Sequence, residues 1–434
     1  MDVFCGQFVG NGREYCEEYL GIRYARAERF EYPVPYWSEA KQDACAYGNS
    51  CTQSRAWYEH LEIPERAFYN REFRGGQSYR YDEDCHFLNI FRPKTPGKYP
   101  VLVFIHGGGF NSGSSEEWAY DGEQLTREGL VVVTINYRVG VLGYLSHEAL
   151  AERYGHDGNL GLADQLCAVR WVKEHIVLFG GDAENITLMG QSAGAISIQY
   201  MCLCEESRGL YRRAIMLSGG GLPRFAMPLP VERTRKFWLE LMDIAGCATI
   251  DELKKLDLYA LFTAVEKHKA QRPDAMQNTM PVIDGWFFKA PIEELIKNPL
   301  PVDYMLGYTS NDIFTKWVAY DTHEFAVQNK GYVYCFDIPV RGDDNGAFHT
   351  VDVRYVFGTL DRHSSYSFNE HEHRVSEIMR RYIAAFARTG NPNEEGLPVW
   401  TRGGMRELRI DDDFHMCYPD IEMILKNNER PDPV

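Results

Sequence analysis

Ser192 stands between two glycines in L-M-G-Q-S-A-G-A at 188–195, at the spacing Gly190, Ser192, Gly194. A serine hydroxyl is a poor nucleophile until a neighbouring imidazole can take its proton. The Gly-x-Ser-x-Gly pattern serves that chemistry where a strand turns sharply into a helix, because bulky residues two positions from the serine would collide there. A plain small-residue turn can mimic so short a pattern, so the surroundings must decide. N-I-T-L-M before it reads as a strand and A-I-S-I-Q-Y-M-C-L-C from Ala195 reads as a helix. The turn would then lift the hydroxyl above the carboxyl edge of a sheet, beside the Ala193 amide at the helix start.

Acyl transfer places negative charge on a carbonyl oxygen, which must meet N–H donors already in position. His106-Gly107-Gly108-Gly109-Phe110 directly follows the apolar run Y-P-V-L-V-F-I at 99–105. Three glycines let the backbone approach a ligand closely, and a loop of this type accompanies the serine turn in esterases and lipases. The base and its orienting acid should follow the serine in the order acid, then histidine. Of thirteen histidines, His349 in N-G-A-F-H-T-V-D occupies a loop after the strand-like run at 331–338. His363, His371 and His373 read as solvated residues near a charged helix start. The H-x-H at 371–373 lacks a third ligand at useful spacing, so no metal is expected. Asp312, in T-S-N-D-I-F, follows the run V-D-Y-M-L-G-Y at 302–308 and is the expected acid. Asp303 begins that run and would face the wrong end of the sheet, while Asp321 and Asp343 lie in less defined loops.

These residues need a scaffold. Apolar runs at 99–105, 130–137, 185–190, 213–219, 302–308 and 331–338 alternate with helical patterns, notably 162–180, where Leu162, Leu166, Val169, Val172 and Ile176 share one face. Such alternation predicts an α/β fold with a mostly parallel central sheet covered on both faces. Residues 222–300 break the rhythm with charged helical segments, as a helical insertion over the active site would. No repeat or linker divides the chain, which is expected to form a single domain over 1–434.

Hydrophobic residues at 44% and charged residues at 25% fit a globular protein rather than a disordered one. The 46 Lys and Arg against 62 Asp and Glu leave a net charge of -16, which disfavours nucleic acid and anionic membrane surfaces as partners. The opening M-D-V-F-C-G-Q-F-V-G has no signal-peptide pattern, and no long uncharged run follows. A cytoplasmic location is expected. Eleven cysteines scattered over this length do not form a small disulfide framework.

Taken in order, the blocks Y-L-G-I-R-Y-A at 19–25, E-D-C-H-F-L-N-I at 83–90, H-G-G-G-F, N-Y-R-V-G-V-L-G-Y-L at 136–145 and G-N-L-G-L-A-D-Q at 158–165 resemble the type B carboxylesterase family. F-G-G-D-A-E-N-I-T-L-M-G-Q-S-A-G-A at 179–195, G-A-F-H at 346–349 and F-A-R-T-G-N-P-N at 386–393 extend the likeness across most of the chain. The resemblance implies an α/β-hydrolase fold with Ser192 as nucleophile, His349 as general base and Asp312 as the orienting acid. Gly108, Gly109 and Ala193 would supply the oxyanion-hole amides. It further implies hydrolysis of small to medium carboxylic esters through an acyl-enzyme, with no cofactor and no metal. A noncatalytic adhesion protein of the same fold, or an amidase or lactonase using the same triad, are the alternatives.

The chain departs from the family pattern in places. Asp312 stands where a glutamate is usual, and Ile313 where a glycine is. Gln191 replaces the glutamate that cholinesterases place beside the nucleophile, and no tryptophan maps securely to a choline site, although Trp57 lies in the right segment. Choline esters are therefore not the expected substrates. Cys51 and Cys85 match a disulfide of secreted members, but without a signal peptide they are expected to be reduced. The chain is shorter than typical members, which implies a more open site.

Overall fold

Alternation of side chains along each strand decides how the apolar runs are used. In the computed structural model, residues 2–58, 77–221, 227–271, 278–312, 315–340, 345–362 and 366–419 are described. At the N-terminal side, β1 (Asp2–Cys5), β2 (Phe8–Gly12), β3 (Cys16–Arg23) and β4 (Phe87–Pro93) pair antiparallel in succession. Next come β5 (Tyr99–Ile105), β6 (Val131–Ile135), β7 (Gly181–Gln191) and β8 (Arg213–Leu217). The sheet is completed by β9 (Asp303–Thr309), β10 (Tyr332–Phe336), β11 (Glu407–Ile410) and β12 (Phe414–Cys417).

The strands lie in the order β1-β2-β3-β4-β6-β5-β7-β8-β9-β10-β11-β12, and Gln42–Asp43 pairs with β2 to make a 13-stranded sheet. From β6 to β11 every pairing is parallel; antiparallel pairs close both edges. The parallel centre is the part that the apolar runs predict. The antiparallel N-terminal strands are harder to read, since they mix Glu17, Glu18 and Asn11 with apolar residues and face water along their edge.

Within β5, Val101, Val103 and Ile105 point into one apolar cluster and Leu102 and Phe104 into another, so the sheet is buried on both faces. Helices α1 (Leu160–His175) and α2 (Ala193–Met201) supply Leu162, Leu166, Val169 and Ile198 to the first cluster. Helices α3 (Val231–Ala245), α4 (Ile250–Lys255) and α5 (Leu258–Gln271) add Phe237, Trp238, Leu241, Leu253 and Leu261 to it. Each such side chain contributes about 1.5–3 kcal/mol on burial. After α6 (Thr315–Asn329), the helices α7 (Val351–Phe357) and α8 (Glu370–Thr389) cover the opposite face with Val353, Val356, Met379 and Phe386. Helix α8 starts at Glu370 because Asn369 and Glu372 form a reciprocal capping box.

Beneath the active edge lies a buried ion pair. Arg138 donates from Nε to Asp164 Oδ2 at 2.8 Å and from Nη2 to Oδ1 at 2.7 Å. The Arg138 amide also donates to Asp164 Oδ2, at 3.0 Å. His86 Nε2 lies 3.1 Å from Asp164 Oδ1. Burial opposes the charge on Asp164, but Arg138 and His86 outweigh it and hold the carboxyl far below its ordinary range. Neither residue was assigned a role from sequence. The pair ties the segment after β6 to α1, and Tyr137, its neighbour, donates to His106 O at 2.7 Å.

Cys51 and Cys85 are buried free thiols rather than the disulfide of secreted relatives. A hydrogen bond with Cys51, together with burial, pushes the Cys85 thiol well above its ordinary pKa. Among the described residues no helix is long and apolar enough to cross a membrane.

Breaking a buried pair leaves an uncompensated charge, which costs about 3–5 kcal/mol. Arg138→Ala and Asp164→Ala should each lose that much in urea unfolding at pH 7. The double variant should lose less than the sum of the two.

Candidate active site

The register of the parallel strands collects the expected residues at one edge. Ile105 pairs with Gly190, Gln191 with Leu217 and Leu217's neighbour in the sheet is Gly307, so β5, β7, β8 and β9 all end on the same side. Ser192 sits between the end of β7 and the start of α2 with φ 54° and ψ −125°. A non-glycine residue in such a conformation stores about 1–3 kcal/mol of strain. Packing holds it there. A Cβ at Gly190 would lie 2.6 Å from Gly194 backbone atoms, and one at Gly194 would lie 2.0 Å from Ile105 O. The Ser192 amide donates to Leu217 O at 2.8 Å, tying the turn to β8.

The glycine loop leaves β5 directly beside this turn; a Cβ on Gly107 would lie 2.9 Å from Ser192 Cβ. Gly108, Gly109 and Phe110 have φ of 116°, 61° and 61°. Burial lowers the pKa of His106 to about 4. Its neutral ring directs Nδ1 at Gly107 O, 2.8 Å away. Gly108 O accepts from the amides of Asn111 and Ser112, both at 3.1 Å. A trans peptide points its N–H opposite its carbonyl. Holding the carbonyls of Gly107 and Gly108 therefore sets the directions of the Gly108 and Gly109 amides. Both glycines are exposed at the edge, and Ala193 opens α2, where the first amides of a helix lack partners within it.

The acid and the histidine come from two loops joined by an isolated parallel bridge between Asn311 and Phe348. Asn311 N donates to Ala347 O at 3.1 Å and Asn311 Nδ2 to Asn345 O at 2.7 Å. These bonds hold the two loops together, with Asp312 beside the His349 ring. Asp312 Oδ1 lies 2.5 Å from His349 Nδ1. Burial disfavours the Asp312 carboxylate, but His349, the Ser218 hydroxyl and the Thr309 amide at 3.3 Å outweigh it and lower its pKa. For His349, burial works against the imidazolium, yet Asp312, and Asp352 behind it, raise its pKa above the ordinary value.

Two residues at this edge were missed as partners of the histidine. Asp352 is buried on α7, accepts from the Tyr334 hydroxyl at 2.6 Å, and has its pKa raised to about 6, chiefly by burial. Its helical context carries no motif. The amide Nε2 of Gln191 lies 3.1 Å from His349 Nε2. With Nδ1–H given to Asp312, that nitrogen is the acceptor and Gln191 donates to it. Among the described residues, Ser192 Oγ has no hydrogen-bond partner, so Gln191 holds the ring nitrogen that a serine proton would need. The sequence had marked Gln191 only as a departure from the cholinesterases.

Other candidates fall elsewhere. Asp303 is at the opposite end of β9, paired with Arg402 at 2.7 Å, and Asp321 lies within α6. His373 faces Asp361 at 3.3 Å on the first turns of α8, which also carries His371. Asp343, His363, Ile313 and the Trp57 side chain lie outside the described residues. Among the described residues, no group of three His, Cys, Asp or Glu side chains could hold a metal ion.

A parallel sheet whose carboxyl edge carries a strained serine turn, a glycine loop on the adjacent strand and an acid–imidazole pair defines a serine hydrolase of the α/β-hydrolase fold. The chain belongs to the carboxylesterase family, whose model matches residues 2–327 and 312–415. It is 28% identical over 479 residues to para-nitrobenzyl esterase of Bacillus subtilis (strain 168), with 94% of each chain covered. Gut esterase 1 of Caenorhabditis elegans is 30% identical, with 99% of this chain and 72% of that protein covered. The solved structure of a thermophilic PNB esterase superposes with a TM-score of 0.83 at 25% identity, covering 96% of this chain and 97% of that one. The protein is a carboxylic ester hydrolase, a serine esterase acting on small-molecule esters.

The neutral amide beside His349 has a consequence in pH. A base must be unprotonated, so kcat/KM should fall as pH drops through the raised pKa of His349. A carboxylate in place of the amide favours the imidazolium, typically by about one unit or more. Gln191→Glu should therefore move the acid limb of the kcat/KM profile upward by about that amount, and Gln191→Ala should not.

Proposed function

We propose that Ser192, His349 and Asp312 form the catalytic triad and that the amides of Gly108, Gly109 and Ala193 form the oxyanion hole. The reading rests above all on the 2.5 Å contact between Asp312 and His349 at the edge that carries the strained Ser192. Substrate binding brings the Ser192 hydroxyl to His349 Nε2, displacing the Gln191 amide. Ser192 Oγ bonds to the ester carbonyl carbon while its proton passes to Nε2, and the amides take the oxyanion charge. Asp312 keeps Nδ1–H in place and stabilises the imidazolium. The carbon–oxygen bond to the alcohol then breaks, and the alcohol leaves with the proton from Nε2. Water repeats the sequence on the acyl-serine and releases the acid.

Small to medium carboxylic esters are the proposed substrates. Gln191 presents a neutral amide where a cation-selecting site would place a carboxylate, so nothing in that position demands a charged alcohol group.

A p-nitrophenyl ester series of increasing acyl length tests both parts. Ser192→Ala should lower kcat by about 10⁴-fold or more, and Asp312→Asn by about 10³–10⁴-fold. Undiminished turnover in the Ser192 variant would remove the mechanism. Rates that rise steadily into long acyl chains would remove the size assignment.

A further inference from the structure

The glycine loop is held from a direction that the triad does not explain. Glycine samples positive and negative φ with equal ease, so Gly108 and Gly109 do not by themselves keep φ at 116° and 61°. The peptide between them is fixed through Gly108 O, as described above. The next peptide, between Gly109 and Phe110, has its carbonyl bound by Asn111 Nδ2 at 2.8 Å. Asn111 is exposed, and a solvated amide would rotate freely. Its Oδ1 is instead bound by the hydroxyl of Thr279, at 2.5 Å.

Thr279 reaches the loop from the segment that follows the insertion helices, and that segment is anchored on both sides. Arg233 Nε on α3 donates to Asn278 Oδ1 at 3.3 Å. The Val282 amide donates to Asn159 Oδ1 at 2.9 Å, and Asn159 Nδ2 returns a bond to Val282 O at 2.8 Å. Leu229–Pro230 pairs with Val282–Ile283. Thr279 is itself buried, unlike the asparagine it holds. On the other side of the loop the Gly140 amide donates to Phe110 O at 2.6 Å.

We infer that Thr279 is a positioning residue for ester hydrolysis: through Asn111 it fixes the peptide after Gly109, and with it the aim of the Gly109 amide in the oxyanion hole. The inference rests on the proposed oxyanion hole. With both flanking peptides held, Gly109 has no remaining backbone freedom. With the Asn111 side chain released, Gly109 O is no longer held and the Gly109 amide keeps only the bonds on Gly108 O, so its aim at the developing charge loosens and the loss should appear in the transition state rather than in substrate binding.

Steady-state kinetics with a p-nitrophenyl ester, and inhibition by a trifluoromethyl ketone that Ser192 converts to a tetrahedral hemiketal, read this directly. Thr279→Val keeps the shape but removes the hydroxyl. It should lower kcat by about tenfold or more, weaken the ketone by the same factor and leave KM within about twofold. Asn111→Asp, which can no longer donate to Gly109 O, should do the same. Thr279→Ser should restore kcat and ketone affinity. The Asn111→Asp/Thr279→Val double variant should lose little beyond either single change, because the two act through one chain of bonds. Thermal unfolding of each variant identifies a simple loss of fold, and the serine variant keeps the question decidable if the valine variant unfolds. Wild-type kcat and ketone affinity in folded Thr279→Val would overturn the inference. Failure of the underlying mechanism looks different: Ser192→Ala would still turn over ester, or the wild type would not respond to the ketone.

Discussion

The backbone of Ser192 is held where serine does not rest on its own, and the structure around it is arranged to keep it there. Its φ of 54° persists because α2 is pressed onto the ends of β5 and β7 until no atom fits at Gly190 or Gly194. That compression comes from the parallel register, which aligns Ile105 with Gly190 and Gln191 with Leu217. The apolar clusters on both faces of the sheet supply the free energy that offsets the strain. The strained, half-buried serine turn is thus a product of the core as much as of the five-residue motif.

Around that serine, polar groups are divided into fixed dipoles and a small charged pair. His106 is kept neutral by burial and serves to orient a carbonyl. Gln191 is uncharged, and meets the same imidazole that Asp312 favours in its charged form. Charge sits on the Asp312–His349 pair and on Asp352 behind it, whose carboxyl is pushed up to about 6 by burial. An imidazole so placed is more basic than a free one, and its second ring nitrogen meets the Gln191 amide. Dipoles already in place cost no reorganisation when charge develops on a substrate.

The departures from the usual family pattern become intelligible in these terms. An aspartate is one methylene shorter than a glutamate, and in this chain the Asn311–Phe348 bridge joins the loop of Asp312 to the loop of His349. Cys51 and Cys85 are free and share their surroundings with Arg138 and Asp164. That buried ion pair ties the segment after β6 to α1.

What the sequence determined by itself was whatever depends on local pattern. Short apolar runs rich in β-branched residues, such as V-L-V-F-I bounded by glycines, read as buried strands, and Gly190-x-Ser192-x-Gly194 and the triple glycine carry steric demands readable from spacing alone. Asp312 and His349 could be placed at one edge as well, because each follows a strand in the order the fold requires. Tertiary structure alone decided the contacts made across long separations. The antiparallel edge strands were obscured by solvent-facing charges, and Arg138 and Asp164 became partners only when β6 met α1. Asp352 came within electrostatic reach of the histidine through the turn of one helix, Gln191 met it by the way a side chain leaves a strained elbow, and Thr279 met Asn111 from the segment that follows α5. Periodicity records which face of an element is buried; it holds no information about which distant polar group will be waiting there.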